Sequence, residues 1–126
     1  MALYKTRAIA IKSMNLSESD RLVTFMTENY GKVKCVAKGA RKSKNQFWGA
    51  LEPMSLTHLI YFGKEQQSLF RLNQSDIIES FQTIRDDFDK LYTGVYFLDL
   101  IDAMILEGHH EPRIFGLLYQ SLAALD

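Results

Sequence analysis

The stretch KVKCVAKGARKSK, residues 32–44, decides how this chain is read. In its first half Val33, Cys35 and Ala37 fall on one side of an extended strand, and Lys32, Lys34, Val36 and Lys38 on the other. That is the period of two of a strand with one buried face. From Gly39 to Asn45 the alternation stops and the chain reads as a basic polar loop. The stretch carries Lys32, Lys34, Lys38, Arg41, Lys42 and Lys44, and no acidic residue lies between Asn29 and Leu51. A cation that meets a phosphate releases condensed counterions, so such a patch gives salt-dependent affinity for nucleic acid. Phe47 and Trp48 follow at once, then Tyr61, Phe62 and Phe70. Stacking a base on a ring is worth ~1–3 kcal/mol and does not depend on sequence. The same pattern is met by a solvated strand face with Phe47, Phe62 and Phe70 in the core, whereas Trp48 beside Gly49 is the better candidate for an exposed ring.

Outward from this stretch the chain keeps strand character on both sides. Lys5–Lys12 alternates Arg7, Ile9 and Ile11 with Ala8 and Ala10. After the polar turn at 17–20, Arg21–Thr27 reads as a strand buried on much of both faces, with a short helix as the alternative, and Asn29-Tyr30-Gly31 as a turn. Met54–Phe62 is expected as a fourth strand, 63–67 as a hairpin loop and Ser68–Asn73 as a fifth strand. The period then changes. Ile84, Phe88, Leu91, Val95 and Leu98 follow steps of three and four, which means helix. Gly108 is the expected helix stop and Glu111-Pro112 the next start, with Ile114, Leu118, Leu122 and Leu125 as its stripe. Five strands followed by helices imply a β-barrel plus α class: a five-stranded oligonucleotide-binding (OB) fold over residues 1–80 and the start of a helical domain over 81–126. Two helices this apolar need more partners than the chain offers, which implies a piece of a longer protein or a second chain.

The 126 residues carry no net formal charge, but the charge is unevenly placed. Residues 1–80 have a balance of +5 and residues 81–126 of −5, so two modules with different partners are expected. The acidic, apolar helical part reads equally as an interaction surface and as an opened bundle interior. Val95–Leu106, the most apolar run, is interrupted by Asp99 and Asp102 and is shorter than the ~20 residues a membrane span needs. No signal-peptide core is present near the N-terminus. The expected location is the cytoplasm, in association with the nucleoid, with no membrane partner.

Nothing in the sequence assembles an enzyme. His109-His110-Glu111 lacks the i, i+4 pairing of a helical metal site and reads as a connector, and His58 stands alone on a strand. No Ser/His/Asp arrangement and no phosphate-loop glycine spacing occurs. The single cysteine, Cys35, excludes an intrachain disulfide and a multi-cysteine zinc site, and its strand position predicts a buried, inert thiol.

Three segments in fixed order, ESDRLVTFMT at 18–27, GKVKCVAKGARKSK at 31–44 and LEP at 51–53, resemble the N-terminal region of the RecO DNA-repair proteins. The string VAKGARKSK at 36–44 is the most specific part; the later helices agree only through their apolar pattern. The resemblance implies an OB barrel that binds and anneals single-stranded DNA without catalysis. It implies partnership with RecR in loading a recombinase, and contact with the C-terminal tail of single-strand-binding protein. By matching motif, Lys34, Lys38, Arg41, Lys42 and Lys44 are the phosphate-contact residues it implies, with Trp48 as an added stacking platform. Arg21 matches too but is ranked below them, because Asp20 beside it is expected to hold it in a local ion pair. The family's helical domain holds a zinc module whose cysteines lie beyond the helices present here, so no zinc site and no other cofactor is expected in this chain.

Overall fold

The computed structural model describes residues 2–41, 47, 49–64 and 68–126. Five strands, β1 (Ala2–Asn15), β2 (Arg21–Thr27), β3 (Gly31–Ala37), β4 (Leu56–Gly63) and β5 (Phe70–Glu79), are followed by α1 (Gln82–Asp86), α2 (Phe88–Met104) and α3 (Pro112–Leu125). The strands close on themselves in the order β1-β2-β3-β5-β4. Every pairing is antiparallel except β3 with β5, a short parallel seam at Cys35↔Phe70 and Val36↔Arg71. This is the expected OB-type barrel followed by helices.

The long strand β1 shows why the sequence folds this way. Ala8, Ile9, Ala10 and Ile11 are all buried, yet they belong to two cores. Ala8 and Ala10 point into the barrel, with Val23, Phe25, Val33, Cys35, Leu59 and Leu72. Ile9 and Ile11 point out of it, against Met54, Phe81, Ile84, Leu98, Leu118 and Leu122. Small residues fit the narrow interior, and the large β-branched ones carry the helices on the outer face. A register shift between Ala10 and Lys12 bends β1 at this point. The helical part is therefore packed directly on the barrel, through a shared apolar cluster.

Four elements differ from the sequence expectation: β1 runs Ala2–Asn15 rather than Lys5–Lys12, and β5, β4 and the first long helix depart as follows. β5 runs on to Glu79 rather than ending at Asn73. Its polar residues Gln74, Ser75 and Asp76 pair with Ile60, Leu59 and His58 of β4. β4 begins at Leu56 because Met54 takes a left-handed conformation (φ 75°) and Ser55 N–H closes a turn onto the Glu52 carbonyl. The helix expected through Ile84, Phe88, Leu91, Val95 and Leu98 is two helices. Asp87 is extended (φ −118°, ψ 118°), and its side chain accepts the Lys90 N–H as the N-cap of α2. This break rotates α2, so Gly94 and Leu98 face inward while Phe88 is 80% exposed. α2 also stops at Met104, four residues before Gly108, whereas α3 begins at Pro112 as its sequence signal predicts. Among the described residues no helix is long and apolar enough to cross a membrane.

Gly94, like Leu98, faces the apolar cluster on the outer side of the barrel. A Cβ there would lie 2.8 Å from Met54 Sδ and 3.3 Å from Ile84 Cγ2. Helix propensity favours Gly94→Ala by about 1 kcal/mol, but overpacking opposes it by ~1–3 kcal/mol. A net loss of about 1 kcal/mol is expected from these opposing effects in chemical denaturation. A net gain would mean that Met54 swings aside.

Candidate nucleic-acid interface

The basic loop is built onto the β1–β2 turn. The Asp20 carboxylate accepts the Gly39 N–H (2.9 Å) and the Ser19 hydroxyl (3.1 Å). The Gly39 bond above all holds this carboxyl below the ordinary aspartate range, and nearby Lys38 adds to the effect. Arg41 donates its backbone N–H to the Ser19 carbonyl (3.0 Å) and its guanidinium to the Ser17 carbonyl. Asp20 thus fixes the loop and does not form the expected ion pair with Arg21, whose Nε donates to Ser13 Oγ at 2.9 Å instead. The short carboxylate side chain finds two donors locally, so the arginine is left to cross to β1. These contacts bring Arg21, Lys38 and Arg41 to one edge of the barrel, with Lys38 and Arg41 exposed. Lys42, Lys44 and Trp48 lie outside the described residues.

Beside this edge, across the β3–β5 seam, is a shallow cleft of about 280 Å³ lined by Val36, Lys38, Phe62, Leu69, Phe70 and Arg71. The Arg71 guanidinium lies over the Phe62 ring, 5.9 Å from its centroid. Two cations therefore flank an apolar floor containing half-buried aromatic rings. Phe62 and Phe70 are neither wholly in the core nor free platforms: each packs on the barrel and presents part of its ring to the cleft. Phe47, by contrast, is 2% exposed and is core. Sequence reading missed Arg71. The signal was present in the alternation Phe70-Arg71-Leu72, but only the β3–β5 seam places Arg71 next to the basic strand.

The lysines at the start of β3 have a different task. Lys32 is 7% exposed; its Nζ donates to Asp102 Oδ1 (2.7 Å), the Asp102 carbonyl (2.8 Å) and the Ile105 carbonyl (3.0 Å). Lys34 pairs with Glu107 at 2.8 Å, which raises its pKa. Both hold the end of α2 and the following connector to the barrel. Lys34 would have to give up Glu107 to meet a phosphate, so Lys38 and Arg41 are the better placed of the sequence candidates. Asp99 is exposed, whereas Asp102 is tied to Lys32. His110, in the connector, places Nε2 3.3 Å from the Glu28 carbonyl oxygen.

A model of the RecO N-terminal region ("Recombination protein O N terminal") matches residues 1–81, and one of the C-terminal region ("Recombination protein O C terminal") matches residues 85–126. This chain belongs to the RecO family. A DNA repair protein RecO of Clostridium kluyveri is 36% identical over 122 residues, covering 96% of this chain and 46% of the relative. That of Myxococcus xanthus is 35% identical over 126 residues, covering 100% and 51%. That of Salinibacter ruber is 30% identical over 125 residues, covering 99% and 48%. The chain thus spans about half the length of the RecO relatives it matches. Cys35 is buried in the barrel, where desolvation pushes its thiol pKa up. Among the described residues no group of three His, Cys, Asp or Glu side chains could hold a metal.

Proposed function

We propose that this chain is the single-stranded DNA-binding and annealing part of a recombination mediator in DNA repair, with no catalytic chemistry of its own. The observation that carries this is the cationic edge at the end of β3. There Lys38 and Arg71 flank half-buried rings, and Arg21 and Arg41 extend the positive surface along the docked loop. Such an edge attracts phosphates and lets bases rest on the rings without reading their sequence. A shallow, solvent-reached site grips modestly, which suits bringing two strands together. The RecO-named relatives support a role in DNA repair. RecR and the C-terminal tail of single-strand-binding protein are proposed partners on the family resemblance, and the cytoplasm with its nucleoid is the proposed location. An exposed run on α2 and beyond it, with Phe88, Tyr92, Tyr96, Met104 and Leu106 each at least 60% exposed, supports an additional protein contact on the helical side.

Anisotropy titration of a labelled single strand at several salt concentrations tests the reading. Lys38→Gln with Arg71→Gln is expected to weaken binding roughly tenfold or more for every sequence, and to lower the log–log salt slope by about 1.4 for two lost phosphate contacts on single strands. An unchanged slope places the phosphates elsewhere, and no binding by the unaltered protein at low salt removes the reading altogether.

A further inference from the structure

A second cleft, of about 430 Å³, opens at the end of the barrel beside the first, and Phe70 lines both. Its walls are aromatic. Tyr4 stacks on Tyr61 with centroids 5.0 Å apart and planes 16° from parallel. Tyr30 meets Tyr4 edge-on at 5.0 Å, and Phe70 meets Tyr61 edge-on at 5.1 Å. Tyr30 is 38% exposed and forms the open side, whereas Tyr61 is 1% exposed and forms the floor. Burial raises the pKa of Tyr61, so it remains a neutral phenol among the residues that line this space. Ser68 and the Glu107 carboxylate supply further polar atoms at the rim.

The charges that reach this cleft are already balanced. Lys32 is held by Asp102, and the Glu107 carboxylate by Lys34. A phosphate would find no uncommitted cation here and would meet a carboxylate. A neutral, flat heterocycle with hydrogen-bonding edges would find rings for its faces and hydroxyls for its edge. The cationic edge lies one ring away, across Phe70. From Val33 to Lys38 the extended chain spans ~17 Å, room for several nucleotides between the two.

The geometry points to a nucleobase pocket: the Tyr4–Tyr30–Tyr61–Phe70 cleft takes an unpaired base of the strand whose phosphates lie along Lys38 and Arg71. This rests on the reading of the cationic edge as a DNA site. The base is drawn in by stacking, so the pocket is indifferent to sequence but sensitive to the presence of a base. It also withdraws a base from the solvent, which makes the bound strand a weaker competitor for its own hairpins.

The test uses the intact protein with a thymidine oligonucleotide and with the same strand carrying abasic sites, which keep the phosphates and lack the bases. Tyr30→Ala is expected to weaken the thymidine strand about tenfold, within the range one lost stack gives. It should leave abasic binding and the salt slope unchanged. Tyr30→Phe, which keeps the ring, should restore the affinity, so a folding defect cannot imitate the result. Equal losses on both strands, or no loss on the thymidine strand, overturn the pocket. If the unaltered protein holds both strands equally well, the base site falls while the phosphate edge stands. If it holds neither at low salt, both readings fall together.

Discussion

Replacing Gly31 with Ala is expected to destabilise the protein by about 4 kcal/mol, from backbone strain, lost hydrogen bonds and a steric clash acting together. Gly31 opens β3 at φ 73°, where a Cβ crowds the following carbonyl oxygen and costs ~1–2 kcal/mol. The larger part comes from the neighbour. A Cβ at Gly31 would lie 2.2 Å from the His109 carbonyl oxygen and 2.7 Å from its carbon. These are backbone atoms and cannot rotate away, so the whole connector must lift. Its lifting breaks the bond from Gly108 N–H to the Lys32 carbonyl (2.9 Å) and separates His110 from the Glu28 carbonyl. A lost hydrogen bond of this kind costs ~1 kcal/mol. Gly108 provides the internal control. It has nearly the same φ, 75°, and among the described residues nothing lies within 4 Å of where its Cβ would be. Gly108→Ala is therefore expected to lose only the backbone share, ~1–2 kcal/mol. Urea denaturation of the two variants measures the difference. Equal losses would show that the connector does not press on Gly31.

That contact was out of reach of the sequence, and the reason is general. Asn29-Tyr30-Gly31 announces a turn through local chemistry alone, so the turn was legible. The partner that makes Gly31 irreplaceable is 78 residues away in the chain and leaves no local signal. The same division runs through the molecule. β2, the inward residues of β3 and the start of α3 were legible because alternation, burial on two faces and a proline at the first turn are local. The extent of β5 was not, because Gln74, Ser75 and Asp76 are strand residues only by virtue of β4. The helix periodicity placed Ile84, Leu91 and Leu98 correctly but not Phe88 and Val95, since the extended Asp87 breaks it without a glycine or proline to mark the place. At the candidate site the basic character of the β3 edge could be read directly. The division of labour within it could not: Lys32, Lys34 and Lys38 occupy one side of one strand in the sequence. Only the folded chain ties two of them to acidic groups at 102 and 107 and leaves the third exposed.

Lys32 shows most clearly what that division means energetically, and Asp102→Ala is the variant that exposes it. All three ammonium protons of Lys32 are used, by one carboxylate oxygen and two main-chain carbonyls at the end of α2. Those carbonyls belong to the last turn, where intrahelical donors run out and the helix dipole is negative. The lysine is thus a cap supplied by the barrel, and its side chain is only 9% exposed. Removing Asp102 strands a buried cation with two neutral acceptors, and a loss of about 3 kcal/mol is expected, at the lower bound for breaking a buried pair because the carbonyls remain. Lys32→Met is expected to lose a similar amount, about 3 kcal/mol: the thioether chain fills the same volume and water reaches the Asp102 carboxylate, which is 28% exposed, but the two carbonyls lose their donor. Two large single losses are the signature. A surface ion pair would give two small ones. Denaturation of the two single variants and the double variant, read as a cycle, distinguishes them, and single losses below about 1 kcal/mol would rule out the cap. Neither change touches Lys38, Arg41 or Arg71, so strand affinity at low salt should hold wherever the variant remains folded. A fall in affinity with Lys32→Met alone, in folded protein, would instead return Lys32 to the phosphate-binding edge.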